Sequence, residues 1–412
     1  MKQKFTKYQM FIVAMLAFLQ FTIILDFMIM SPLGAILMPA LNITPAQFGL
    51  VVSAYAFSAG ASGLLASGFA DRYDRKRLLL FFYTGFVLGT LFCALSPTYE
   101  VLLIARIVTG IFGGVLGSIV MAITTDLFEM NMRGRVMGFI QTAFAGSQIL
   151  GIPIGLLISA KWGWHAPFLM IVGVSTLVGI AIIIVMKPID EHLKLQKTHS
   201  ALKHMANTIS TPRYLMGFAL TALLTIGGFM LMPFSSAFTV NNMGISLTDL
   251  PTMYLFPGIV AMFAGPIIGR FSDKVGHVRM FTVGSIFSVT LVIIYTHLGI
   301  TPLIWGILVS SLMLIAMTSR MIPSQALTSA LPDIASRGSY MSVSSSIQQV
   351  SGGIASIVAG YIITADASGK LQHFEVIGYV IAVTTFISGV LIVYINRTVT
   401  QSASVAPTAT MH

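Results

Sequence analysis

The sequence predicts an all-α membrane protein of twelve transmembrane helices, arranged as two pseudo-symmetric six-helix bundles. Three observations carry this. Of 412 residues, 56% are hydrophobic and only 9% charged, against roughly 25% charged in a soluble domain, and the mean hydropathy is +0.90. The apolar residues fall into twelve runs, each near the ~20 residues a helix needs to cross a bilayer. Two polar loops of the first half also recur in the second at nearly constant offset, as in proteins built from duplicated bundles.

Taken in order, Met1 to Tyr8 carries Lys2, Lys4 and Lys7 ahead of the first apolar run, 10–38. That run is too long for a signal peptide, has no small-residue cleavage site and is followed by further spans, so it is read as a retained first helix. Spans follow at 45–66, 78–96, 98–125, 135–159 and 165–187, completing a first bundle, 1–187. Residues 188–212, with His192, His199 and His204 among several lysines, form the only long polar connection and are expected to be a solvated linker. A second bundle, 213–396, contains spans at 213–240, 248–269, 280–298, 302–325, 339–366 and 374–395, and 397–412 is a short tail.

Lys and Arg collect in short cytoplasmic loops. With the N-terminus inside, almost every basic residue falls on the inner side, and only Lys161 and Lys370 fall outside. Both termini are therefore expected in the cytoplasm, with the chain in the cell (inner) membrane. The same placement accounts for the formal charge of +10 without nucleic acid, for which no soluble basic face is available. The single cysteine, Cys93, matches no disulfide framework or zinc spacing. No His or Cys cluster lies at mid-span, and no Gly-Lys-Ser/Thr motif occurs. An enzyme, a metal site, a cofactor and ATP-driven pumping are accordingly not expected.

The first repeated loop, Gly68 to Arg77, joins spans two and three; its counterpart, Gly269 to Arg279, joins spans eight and nine. Aligning Asp71 with Asp273 pairs Arg72 with Lys274, Asp74 with Gly276 and Arg77 with Arg279. Glu129, Arg133, Gly134 and Met137 similarly match Asp333, Arg337, Gly338 and Met341. Bundles duplicated in this way hold a binding site between halves near the midplane and alternate its access by rocking.

These residues resemble the major facilitator superfamily over essentially the whole chain, the loop Gly68 to Arg77 being similar to that family's signature between helices two and three. Ser67 and Asp74 stand where glycine is usual, and Asp tolerates a left-handed turn better than most residues. The stretch Leu25 to Pro32, with Arg106 to Gly110 and Gly151 to Gly155, is similar to the drug:proton antiporter branch, although Ile152, Leu156 and Leu157 replace glycines of its fifth-helix element.

Among thirteen acids only Asp26 lies deep in a span. A carboxylate there costs about 2.5 to 3.5 kcal/mol on insertion scales and should face a cavity or a partner. Arg106 is the expected partner: counted from the outer helix ends, Arg106 lies roughly 12 Å deep and Asp26 roughly 18 Å. A guanidinium alongside favours the ionised acid and closure of apolar walls the neutral one, which is what coupling to protons requires; a fixed structural ion pair is the plainer alternative. Gly151, Pro153, Gly155 and Pro32 are hinge candidates, with static kinked packing as the other reading. Gly110, Gly113, Gly114 and Gly117 are read as close-packing sites. Arg320 is expected to snorkel at the inner boundary, roughly 27 Å from Pro302.

Candidate cavity residues are Tyr55, Gln141, Gln148, Phe229, Met232, Phe234, Phe238, Gln348 and Gln349. The loops carrying Asp71, Arg72, Arg75 and Arg77, and Asp273, Lys274 and Arg279, are candidate gates. Asp71 is expected to dock near the start of span eleven, around Ser339 to Ser342, when the inner face closes, the helix N-terminus there carrying partial positive charge. The expected function is a monomeric secondary transporter that exports a small amphipathic compound in exchange for protons. An importing facilitator or symporter, and a sensor or lipid-handling protein on the same scaffold, are the alternatives.

Overall fold

The computed structural model describes residues 5–66, 72–191, 193, 207–333 and 336–405. Twelve long helices succeed one another: α1 Lys7–Leu41, α2 Pro45–Ala66, α3 Arg75–Ala94, α4 Tyr99–Leu127, α5 Met130–Trp162, α6 Ala166–Val185, α7 Pro212–Asn241, α8 Leu250–Val275, α9 His277–Thr296, α10 Leu303–Ser329, α11 Arg337–Ile362 and α12 Phe374–Val405. Successive helices run up and down, joined by short connections except between α6 and α7, where the linker lies largely outside the described residues. Both ends of the described chain therefore lie at one face, the terminal face. The α1–α2 and α11–α12 connections lie at the opposite, far face.

Local sequence sets the helix ends. Thr6 and Gln9 form a capping box at the start of α1, each side chain bonding the other's backbone N–H, at 3.1 and 3.0 Å. Asn42 ends α1 in the left-handed conformation with φ 51°. Asp74 has φ −53°, so it needs no left-handed tolerance; its carboxylate instead caps α3, accepting from the Arg77 N–H at 2.8 Å. Pro32 is carried within a continuous α1, whereas α5 contains a π-helical stretch, Ser147–Gly151, immediately before Pro153. Proline removes one backbone donor, and the wide turn takes up the mismatch. Pro233 similarly coincides with a tight 3-10 turn, Met232–Phe234, inside α7.

Small residues bring the helices together. A Cβ on Gly110 would stand 2.0 Å from the Ser58 hydroxyl, and one on Gly114 2.3 Å from the Ala59 carbonyl, so α4 lies directly on α2. Gly117 meets nothing within 4 Å and is no packing site. Gly151 and Gly155 lie against Leu25 and Ile29 of α1.

The halves meet mainly toward the far face. Gly49 of α2 approaches the Ser356 carbonyl of α11, Gly360 approaches Pro45, and the Ser53 hydroxyl donates to the Gly353 carbonyl at 2.7 Å. Between α1 and α7 the Ser31 hydroxyl donates to the Met232 carbonyl, and the Ser236 hydroxyl to the Ser31 carbonyl at 2.8 Å. Gly258 of α8 packs on Gln148 and Ile149 of α5. Toward the terminal face, polar side chains of the facing helices come to the surface, among them Gln141 and Thr142 on α5, Gln325 on α10 and Ser345 and Gln348 on α11.

Candidate functional site

Four helices of the first half converge on one ion pair. Arg106 of α4 donates through Nη1 to Oδ2 of Asp26 on α1 at 2.8 Å, and both are sealed from solvent, at 1% and 0% exposure. Thr90 of α3 donates its hydroxyl to Oδ1 of Asp26 at 3.2 Å. Tyr55 of α2 presents its ring face to the guanidinium, with the Arg106 carbon 4.5 Å from the ring centroid, a cation–π contact that strengthens when desolvated. Gly113 gives the tyrosine room, since a Cβ there would come within 2.7 Å of its hydroxyl. Arg106 Nε has no partner among the described residues.

An aromatic chain leads from this pair to the other half. Tyr55 packs on Phe27 with centroids 5.3 Å apart, and Phe27 on Phe229 of α7 at 5.8 Å. Phe229 in turn lies over Gly352 of α11. Phe27 is one residue beyond Asp26, so the proton-bearing candidate and the seam between halves share one turn of α1. Thr90 and Phe27 are the functional neighbours that sequence reasoning missed. A threonine in an apolar span ordinarily bonds the carbonyl four residues back, as Thr109 does to Ala105 at 2.7 Å, and nothing in the sequence separates the two uses.

Of the cavity candidates, Tyr55 and Phe229 belong to this seam, and Met232 is half-buried beside Ser31. Gln148 is half-buried at the α5–α8 contact, Gln349 half-buried against Gly60, and Gln141 and Gln348 are exposed. Phe234 and Phe238 are corrected: both are core residues at 0% and 2% exposure. Phe234 packs edge-on against Phe48, and Phe238 is stacked on Phe374 with centroids 4.1 Å apart. The turn at Pro233 rotates this part of α7 into the far-face core.

Arg72 and Arg77 are exposed, as are Asp273, Lys274 and Arg279, while Asp71 lies outside the described residues. Arg75 has a different surrounding: it is buried, with Nε 2.9 Å from Asp126 Oδ2 at the end of α4, and its backbone N–H bonds the Ile189 carbonyl. The histidines of the linker also lie outside the described residues. Arg320 is the second correction. It does not snorkel but is buried within the second half at 5% exposure, because its side chain turns back between α9 and α7 rather than out along α10. Among the described residues no group of three or more His, Cys, Asp or Glu could hold a metal.

A family profile described as the Major Facilitator Superfamily matches residues 16–356. The chain belongs to the Major Facilitator Superfamily. It is 24% identical over 256 residues to an uncharacterized MFS-type transporter, YceJ, of Bacillus subtilis (strain 168), a match spanning 62% of this chain and 65% of that relative's length. Among solved structures, an inward-facing, unoccupied bacterial homologue of the human lysosomal transporter Spinster superposes with a TM-score of 0.72 at 15% identity, covering 95% of this chain and 96% of the other. A peptide transporter, POT, gives 0.73 at 14% identity, covering 93% and 95%, and the nucleoside transporter NupG 0.70 at 15%, covering 93% and 98%. These likenesses are of fold. The family's members are transporters rather than enzymes, and this chain is a multi-pass membrane protein of that superfamily.

Proposed function

We propose that the protein is a proton-coupled secondary transporter of the drug:proton antiporter branch, exporting a small amphipathic compound by alternating access. The observation that carries the reading is the sealed Asp26–Arg106 pair one residue from the seam between halves. Two ions out of water are tolerable only together: desolvation costs several kcal/mol per ion and is offset only while the partner stays in place. A rocking of the halves that pulls on Phe27 at the seam, and so shifts α1 against α4 of its own half, leaves a carboxylate among apolar walls, where taking up a proton is the cheaper state. Return of the guanidinium expels that proton. Separation of the halves at one face and proton exchange at Asp26 are thereby one event.

The basic loops support a cytoplasmic terminal face, so the exposed Gln141, Ser345 and Gln348 would belong to an inward-open vestibule. The aromatic seam of Tyr55, Phe27 and Phe229 offers flat apolar surfaces suited to an amphipathic substrate. The loops with Asp71 and Asp273 would stabilise the opposite, outward-open state, while Gly151, Pro153 and Pro32 would bend as the halves rock. In proteoliposomes, transport of a screened substrate driven by a pH gradient is expected in the wild type and lost in Asp26→Asn. Full gradient-driven transport by that variant would remove the coupling role. A gradient of the reverse sign driving export would make the protein a symporter.

A further inference from the structure

The second half contains a buried cation for which the first half's logic supplies no partner. Arg320 is 5% exposed and lies in the bundle between α7, α9, α10 and α12. Its one hydrogen bond runs from Nη1 to the neutral Ser288 hydroxyl at 3.3 Å. Its guanidinium carbon stands 5.8 Å from the Phe281 ring centroid, at the outer limit of a cation–π contact. Nε and Nη2 are buried with no partner among the described residues. The five acids after the linker, Asp249, Asp273, Asp333, Asp366 and Glu375, all stand at helix ends or in loops. Arginine does not shed its proton in proteins, and an unpaired charge out of water is strongly destabilising.

Beside the guanidinium is a cavity of about 60 Å³ walled by Gly228, Leu231, Val292, Met317 and Ile381, room for a small ion by the measure of a single water. Met321, 47% exposed, stands at its rim, and Gly228 adjoins Phe229 of the aromatic seam. Nor is Arg320 an echo of Arg106. Counting back from the matched Glu129 and Asp333 pairs Arg106 with Ser310, and Arg320 with Leu116.

We propose that Arg320 is an anion site, its guanidinium taking a small monovalent anion, a halide or a carboxylate group, in this cavity. One positive charge among apolar walls neutralises one negative charge; a dianion would leave a net charge buried, which the same desolvation penalty disfavours. The free edge of Nε and Nη2 is the edge that grips a carboxylate with two parallel bonds. The ion is either free in solution or the acidic head of a transported compound. The inference holds whether or not Asp26 carries protons.

The purified full chain in lipid nanodiscs is dialysed into sodium gluconate, a carboxylate whose hydroxylated chain the apolar walls exclude, and titrated with chloride, formate or butyrate. Thermal unfolding midpoints and the chloride-35 NMR linewidth are followed. In the wild type, chloride and formate are expected to raise the midpoint by several degrees and chloride's line to broaden saturably. Arg320→Gln should abolish both effects while being at least as stable as the wild type in gluconate, since it removes an uncompensated buried charge. Arg397→Gln, at an exposed arginine, should keep them. Gly228→Leu, which fills the cavity and retains the charge, should also abolish them and serves if Arg320→Gln does not fold. Butyrate binding more tightly than formate would assign the site to the head of a larger compound, and the reverse order to a free ion. No saturable effect in the wild type, or an equal one in Arg320→Gln or Gly228→Leu, overturns the proposal.

Discussion

Asp26 and Arg106 each make the other's burial affordable, so their single and double substitutions should not add. Arg106→Leu leaves the carboxylate sealed and unpaired and is expected to cost about 3–5 kcal/mol, whereas Asp26→Asn with Arg106→Gln should recover more than half of that; unfolding of the three proteins in nanodiscs tests the coupling. A lone acid in an apolar span was legible from sequence, as was its partner, because both break composition so sharply. A second titratable test lies outside the bilayer. Asp366, in the short hairpin of Thr364–Ala365 and Leu371–Gln372, accepts from the Ser368 hydroxyl, the Gln372 amide and the backbone N–H groups of Ser368 and Lys370. The Ser368 hydroxyl foremost holds its carboxyl below the usual range. With the folded value lower than the unfolded one, the stabilisation is complete above about 3.9 and is lost as pH falls through the folded value. Protection of the Ser368 and Lys370 amides, measured as exchange relative to the intrinsic rate at each pH, should persist at neutral pH in the wild type, fall only in acid, and be absent at all pH in Asp366→Ala.

For the helices, the lengths of the apolar runs placed all twelve, and the differences lie at their ends. Eleven are apolar enough to be recognised by composition, and α11 is not. Its serines and glycines are spent on close packing: Gly353 against Phe57, Gly352 against Phe229, and Ser356 against the Gly49 position. The glycines of α4 look alike in sequence but differ in space, because only some turn toward α2. Gly114→Ala should destabilise by about 1–3 kcal/mol, since the new methyl meets backbone that cannot yield. Gly117→Ala should be neutral or stabilise by up to about 1 kcal/mol through helix propensity. Thermal unfolding of the pair checks both. The π-helical turn before Pro153 had no sequence signal beyond the proline itself.

Across the whole molecule, the far-face contacts and the exposed polar residues at the terminal face define a single conformation. On a Cys93→Ser background, cysteines at Gln141, Ser345 and Gln348 should react with a water-soluble maleimide within minutes, while those at Ser53 and Ser356 should stay protected. A substrate or pH step that reverses the pattern would report the alternate state. Equal labelling of both sets would contradict the closure of the far face. Asp71 lies outside the described residues, so its docking at Ser339 to Ser342 is tested by the same approach, with a cysteine at Ser342 becoming protected when the far face opens.

Sequence by itself determined the twelve spans, the duplicated halves and the one acid whose burial needs a partner, because each follows from transfer free energies that depend on residue type and on distance along the chain. The surroundings of Phe234, Phe238 and Arg320 were decided only by tertiary structure. Which side of a helix faces a neighbour depends on the turn at Pro233 and on how α7, α9, α10 and α12 pack, and hydropathy averages over both sides alike.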